Sequence, residues 1–271
     1  MKIGEFEVAA IEAGRFRLDG GAMFGVVPKV LWERSNPADE KNRIDMALRL
    51  CLIQGGDRTI LVDTGIGDKW NDRQKEMYGI ENRKLPLDPN SVTDVILTHL
   101  HFDHVGGATG LSSEGKPFLT FPNATYYVQE ANLKHAHAPT EKDKASFIET
   151  TIDPLKESGK LALLNGETEI VPGVQILVTH GHTPGHQLVK VSDGKTTLLV
   201  CGDTIPTASH VPIPWVMAYD LEPLVTMEEK RRLLRQAVDE NWILFYVHDP
   251  FIAASHVLEK DGRFLKGSSV F

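Results

Sequence analysis

Four side chains able to bind a metal ion crowd into one short stretch, His99-Leu100-His101-Phe102-Asp103-His104, between the apolar run Val95-Ile96-Leu97 and the pair Gly106-Gly107. If the apolar run is a buried strand, His99 and His101 leave its end on one side, because side chains two apart share a face. Asp103 and His104 then lie on the turn and reach a second point. Three imidazoles and a carboxylate without sulfur suit zinc, iron or manganese, and differ from closed structural zinc sites, which favour cysteine. The remaining ligands must come from elsewhere in the chain.

Candidates stand at the ends of later apolar runs. Val174 to Thr179 leads into His180-Gly181-His182-Thr183-Pro184-Gly185-His186, where glycine and proline impose a turn. Thr196 to Val200 ends in Cys201-Gly202-Asp203, and Ile243 to Val247 delivers His248. Upstream, Ala47 to Gln54 and Arg58 to Asp63 read as a hairpin turning at Gly55-Gly56-Asp57, with Asp63-Thr64-Gly65 at its exit. Helices are expected over Asp68 to about Tyr78, within Pro139 to Lys160, and from a capping box at Thr226-Met227-Glu228-Glu229. The mixed charge of Pro139 to Lys160 reads as a solvated surface helix, with His135 and His137 as surface residues.

Composition limits the partners. A net charge of -8 argues against nucleic acid and anionic membrane, both of which select basic stripes. The N-terminus lacks the apolar stretch of a signal peptide, and no run of ~18 apolar residues is present to span a bilayer, so the expected compartment is the cytoplasm. Cys51 and Cys201 lie inside apolar runs and read as small buried hydrophobes. No linker is visible, and residues 1-271 are expected to form a single domain. The glycine-punctuated segment 19-33 is too apolar for a plain loop; it reads as an active-site lip carrying Met23, Phe24 and Trp32, or as a contact in a homodimer.

Taken together, His99, His101, Asp103, His104, His186, Asp203 and His248 make a natural pair of metal sites. Two ions about 3.5–4 Å apart can share a water, lower its pKa and clamp attacking and departing oxygens, which is hydrolytic chemistry.

At this point the sequence resembles the metallo-β-lactamase fold superfamily, whose His-x-His-x-Asp-His signature stands at His99 to His104. Leu61-Val62-Asp63-Thr64-Gly65, Thr183-Pro184-Gly185-His186, Gly202-Asp203 and His248 follow the same order. The resemblance implies an α/β fold, a four-layer αββα sandwich with two divalent ions, zinc foremost, at one edge between the sheets. It implies that His99, His101 and His186 bind one ion and Asp103, His104 and His248 the other, with Asp203 bridging. Asp63 and His182 would support these ligands by hydrogen bonding.

Within that superfamily the chain is most similar to the N-acyl homoserine lactonases and methyl parathion hydrolase-like enzymes. The implied activity is ester-bond hydrolysis, most simply of a lactone: a hydroxide between the ions attacks the carbonyl and Asp103 steers it and takes its proton. Phosphotriester and thioester hydrolysis are alternatives, as is a metal-binding sensor without catalysis. Trp215, with Val211, Pro212 and Pro214, would extend the apolar lip toward a small neutral or partly apolar substrate. One position departs from the lactonases, which carry a tyrosine shortly after the bridging aspartate: here Pro206 follows Asp203 by three residues.

Overall fold

Alternation of side chains decides how the strands stack. In the strand Arg58–Val62, Ile60 and Val62 face one way and Leu61 the other, and all three are buried. The strand Thr197–Val200 does the same, with Leu198 and Val200 opposed to Leu199. A strand apolar on both faces must be covered on both, which calls for layers on either side of each sheet.

The computed structural model describes residues 1–270 and contains those layers. An eight-stranded sheet is built from the N-terminal part of the chain, and a seven-stranded sheet runs from Thr168–Val171 to Arg263–Ser269. Ile53, Ile60, Val62 and Ile96 from the first sheet pack against Ile176, Val189, Val200 and Phe245 from the second, forming the central core. On the outer face of the first sheet, Leu61, Val95 and Val128 meet Leu133, Ile152 and Leu155 of the helices Glu130–His137 and Glu149–Glu157. On the outer face of the second, Leu199, Leu244 and Tyr246 meet Leu233, Leu234 and Ala237 of the helix Pro223–Asp239. This is the αββα sandwich.

Register brings the functional strand ends to one edge. Arg58–Val62 runs parallel to Asp94–Ile96 with Val62 opposite Ile96, so Asp63 and the hexapeptide leave the first sheet side by side. In the second sheet Thr197–Val200 runs parallel to Ile243–Phe245 with Val200 opposite Phe245, which places Asp203 and His248 beyond neighbouring ends. The carboxyl ends of parallel strands are where α/β proteins gather ligands. Backbone bonds then sew the two sheets together at this edge: Gln187 N–H donates to Thr98 O (2.8 Å) and Ala47 N–H to His248 O (3.0 Å).

Some elements differ from expectation. The helix after Asp68 begins only at Asp72, where Asn71 and Gln74 form a reciprocal cap. The long helix starts at Pro223, three residues before the expected capping box, and Glu229 instead accepts from the His180 and Gly181 amides. The region Pro139 to Lys160 is not a free surface helix: Ile152 and Leu155 are buried on the outer face of the first sheet, and Phe147 is buried against the site described next. Among the described residues no helix is long and apolar enough to cross a membrane.

Candidate metal centre

The hexapeptide is held from below by Asp63. This residue sits at φ 62°, a left-handed conformation that aspartate tolerates better than most side chains, and its carboxylate accepts three hydrogen bonds. They come from Thr98 N–H (2.7 Å), Thr98 Oγ1 (2.9 Å) and His104 Nδ1 (2.8 Å). Glycine permits the close approach behind it: a Cβ on Gly67 would lie 2.3 Å from Gly106 O.

Hydrogen bonds fix which nitrogen of each imidazole faces inward. His104 donates through Nδ1 to Asp63, His248 through Nδ1 to Ala47 O (2.9 Å), and His182 through Nδ1 to Asp220 Oδ1 (2.9 Å). In the neutral rings their Nε2 atoms therefore carry the electron pairs, and these atoms converge: His104 and His248 Nε2 are 3.1 Å apart, and His182 Nε2 is 3.1 Å from His101 Nδ1. The Nε2 of His99, fully buried, has no protein partner. Converging electron pairs in a dry site repel unless a cation lies between them.

Three groups of donors each fall within 4.8 Å of one another: His99/His101/His182, His99/His104/Asp203 and Asp103/His104/His248. Asp203 joins them. Its Oδ1 is 3.3 Å from His104 Nε2 and 3.2 Å from His248 Nε2, while its Oδ2 is 3.4 Å from His182 Nε2. One oxygen faces each side of the cluster. Asp103 Oδ2 approaches His248 Nε2 at 3.3 Å. These residues fit a pair of divalent ions: the donors are nitrogen and oxygen, they converge, and three buried atoms of the set, His99 Nε2, His101 Nε2 and Asp203 Oδ1, have no hydrogen-bond partner.

Electrostatics divides the cluster. Burial disfavours charge on His99, whose pKa falls well below the ordinary imidazole value with neighbouring imidazoles adding to the effect; His101 is pushed down to about 3 by burial and by His182. Burial opposes charge on His104 and His248 as well, but carboxylates outweigh it: Asp103, Asp203 and Asp63 hold His104 well above its usual range, and Asp203 and Asp103 raise His248 to about 9. Burial would raise Asp203, yet His104 and His248 hold it well below the carboxylate range. The His104/His248 side thus demands positive charge.

His186 is not part of this inward-facing set. Its Nδ1 bonds Thr179 Oγ1 (2.9 Å), and its Nε2 accepts from Asp203 N–H (3.0 Å). A Cβ on Gly202, at φ 48°, would lie 2.5 Å from that Nε2, so the ring packs directly on the Gly202 backbone. With both nitrogens engaged, His186 braces the turn that presents Asp203, whereas His182, expected to be a supporting residue, stands with its Nε2 among the converging donors. Asp220, which orients His182, has no signature in the sequence.

A cavity of about 310 Å³ opens over Asp103, Asp203, His101 and His182. Leu18, Met23, Met46, Phe102 and Met217 give it apolar walls; Tyr78, Tyr219, Lys142, Asp143 and Ser146 also line it. Of the expected lip, Met23 alone lies in the wall. Phe24 is buried beneath, stacked between Trp32 (5.4 Å) and His210 (4.6 Å), and Trp215 lines a separate depression with Pro212 and Pro214. The lip folds this way because its aromatic rings fill the space between the 19-33 segment and the chain after Asp203, while Val26, Val30 and Leu31 remain exposed. His135 is likewise no free surface residue: it bonds Asp143 (2.6 Å) and meets Phe147, whose ring stands 4.8 Å from His101.

An αββα sandwich with an Asp-linked imidazole cluster at its edge defines a class of metal-dependent hydrolases. Residues 51–248 match the family model of the Metallo-beta-lactamase superfamily, and the chain belongs to that family. Among curated relatives, an N-acyl homoserine lactonase of Bacillus sp is 26% identical over 76% of this chain and 82% of its own. The N-acyl homoserine lactonase AttM of Agrobacterium fabrum is 29% identical over 62% of each chain. A probable metal-dependent hydrolase from Staphylococcus aureus, 29% identical, superposes with a TM-score of 0.89 over 100% of both chains.

Proposed function

We propose that this protein is a two-zinc lactonase acting on small lactones that carry an apolar chain. The observation that carries the reading is Asp203, whose two carboxylate oxygens face opposite sides of the imidazole cluster on the floor of an apolar cavity. His99, His101 and His182 would hold one ion, Asp103, His104 and His248 the other, and Asp203 both. When bound, such ions polarise an ester carbonyl and bring a water's pKa toward neutrality. The lactonase relatives support a lactone as the ester.

The chain's own groups suit the remaining work. Asp103 lines the cavity, and its carboxyl is kept below the usual range: burial opposes ionisation, but His104 and His248 favour it more. It is thus an ionised acceptor placed to orient a water and take its proton. Met23, Met46 and Met217 give the wall unbranched, adaptable side chains suited to an acyl chain.

Pro206 cannot supply the hydroxyl of the related lactonases, but the wall has two others. The tyrosines outside the cavity all spend their hydroxyls on the fold: Tyr126 on Ala108 and Phe121, Tyr127 on Asp94, and Tyr246 with Ser255. Tyr78 and Tyr219 have no hydroxyl partner among the described residues. Burial, with Asp19, Tyr78 and Asp103 nearby, pushes the Tyr219 phenol up to about 12, so it keeps its proton and can donate to a substrate oxygen. Tyr219→Phe should lower kcat/KM by ~10-fold, about 1.4 kcal/mol, with zinc content unchanged.

The deciding assay compares kcat/KM on an N-acyl homoserine lactone and on paraoxon, with metal analysis of the same sample. Faster lactone opening by at least two orders of magnitude is expected; preference for the phosphotriester would replace this reading with phosphotriester hydrolysis.

A further inference from the structure

Lys230 stands in the helix Pro223–Asp239 and is fully buried, with no carboxylate in ion-pair reach among the described residues. An ammonium in that position is unfavourable unless its donors are met. They are met by one turn of chain: Nζ donates to Pro212 O (2.9 Å), Ile213 O (3.3 Å) and Trp215 O (2.7 Å). Three carbonyls of one short segment pointing at a common centre repel each other, and the ammonium at that centre does what a bound cation would do.

The turn leads straight to the metal centre. Two residues past Trp215, Met217 N–H donates to Asp220 Oδ2 (3.2 Å), and Asp220 Oδ1 receives His182 Nδ1 (2.9 Å). Leu221 N–H returns to His182 O (3.1 Å), and Ala218 N–H reaches Ala22 O (2.8 Å), beside Met23 in the cavity wall. Burial lowers the Lys230 ammonium's pKa to about 7 even with the charge of Asp220 nearby favouring it.

We propose that Lys230 is a positioning residue: its ammonium sets the 212–215 turn, the turn sets Asp220, and Asp220 holds His182 in the orientation that binds a metal ion. The proposal rests on His182 being a ligand. It assigns to a residue on the outer helix layer a part in the affinity for one ion of the pair.

The test is zinc affinity, measured by competition with a chromogenic chelator well below the melting temperature, for Lys230→Met, Asp220→Asn and the double variant. Methionine keeps the packed stem and removes the donors. Each single variant should weaken the more labile zinc by ~10-fold or more, and the double variant should be no weaker than the worse single one, since both act through His182. Wild-type affinity in Lys230→Met beside weakened binding in Asp220→Asn overturns the proposal, as do losses that simply multiply. Zinc binding indifferent to both Asp220→Asn and His182→Ala removes the ligand assignment of His182, and the proposal with it. If Lys230→Met does not fold, the wild-type protein labelled with 15N-lysine decides: ammonium protons of Lys230 should exchange orders of magnitude more slowly than those of exposed lysines, and equally fast exchange overturns the clamp.

Discussion

Asp203→Ala is expected to lower turnover by ~10³-fold or more, about 4 kcal/mol of transition-state stabilisation, and to reduce bound zinc at the same time. The size follows from its position. Both oxygens are committed, one toward His104 and His248 and one toward His182, so under the proposed two-metal reading its loss would remove a ligand from each ion and the charge that balances both. Asp203→Asn should retain the shape but not the charge and fall between the variant and the wild type. Stripping the wild-type protein with a chelator should abolish activity, and zinc should restore it. Undiminished turnover in metal-depleted protein would end the two-metal reading.

The second large effect separates two histidines of one turn. His182→Ala should leave the protein with about one zinc ion in place of two and lower turnover by ~10²-fold or more. His186→Ala should keep both ions yet melt several degrees lower, because Asp203 N–H loses its partner and the Thr179 hydroxyl loses the ring while keeping Thr204 Oγ1 (3.0 Å), a loss of ~1–3 kcal/mol. Zinc counts and melting curves on the two variants check this directly. The reverse pattern, with zinc lost only from His186→Ala, would return the ligand role to His186.

Much of the fold could be read from residues alone. Apolar strands buried on both faces demanded covered sheets, and the hexapeptide, Asp203 and His248 stand beyond the ends of parallel strands, whereas His186 opens an antiparallel one. The helices were less legible. Pro139 to Lys160 shows little apolar periodicity, yet Phe147 from that stretch packs on the His101 ring, a contact decided by the neighbouring layer rather than by local pattern. The aromatic lip misled for a similar reason: apolar content says that a segment packs, but Phe24 stacks between Trp32 and His210 and only Met23 is left for the cavity.

Returning to His99 through His104, the sequence alone determined the kind of chemistry, since three imidazoles and a carboxylate before two glycines admit few purposes other than metal binding. It also picked out the segments whose side chains gather around the hexapeptide. The tertiary structure decided which atoms do so. His182 and His186 lie in the same turn and spacing cannot separate them, because the role of an imidazole depends on who holds its other nitrogen. Asp220, 38 residues on, takes Nδ1 of His182 and turns its Nε2 inward, whereas the backbone of Asp203 and the hydroxyl of Thr179 occupy both nitrogens of His186. Those partners meet only when the sheets close.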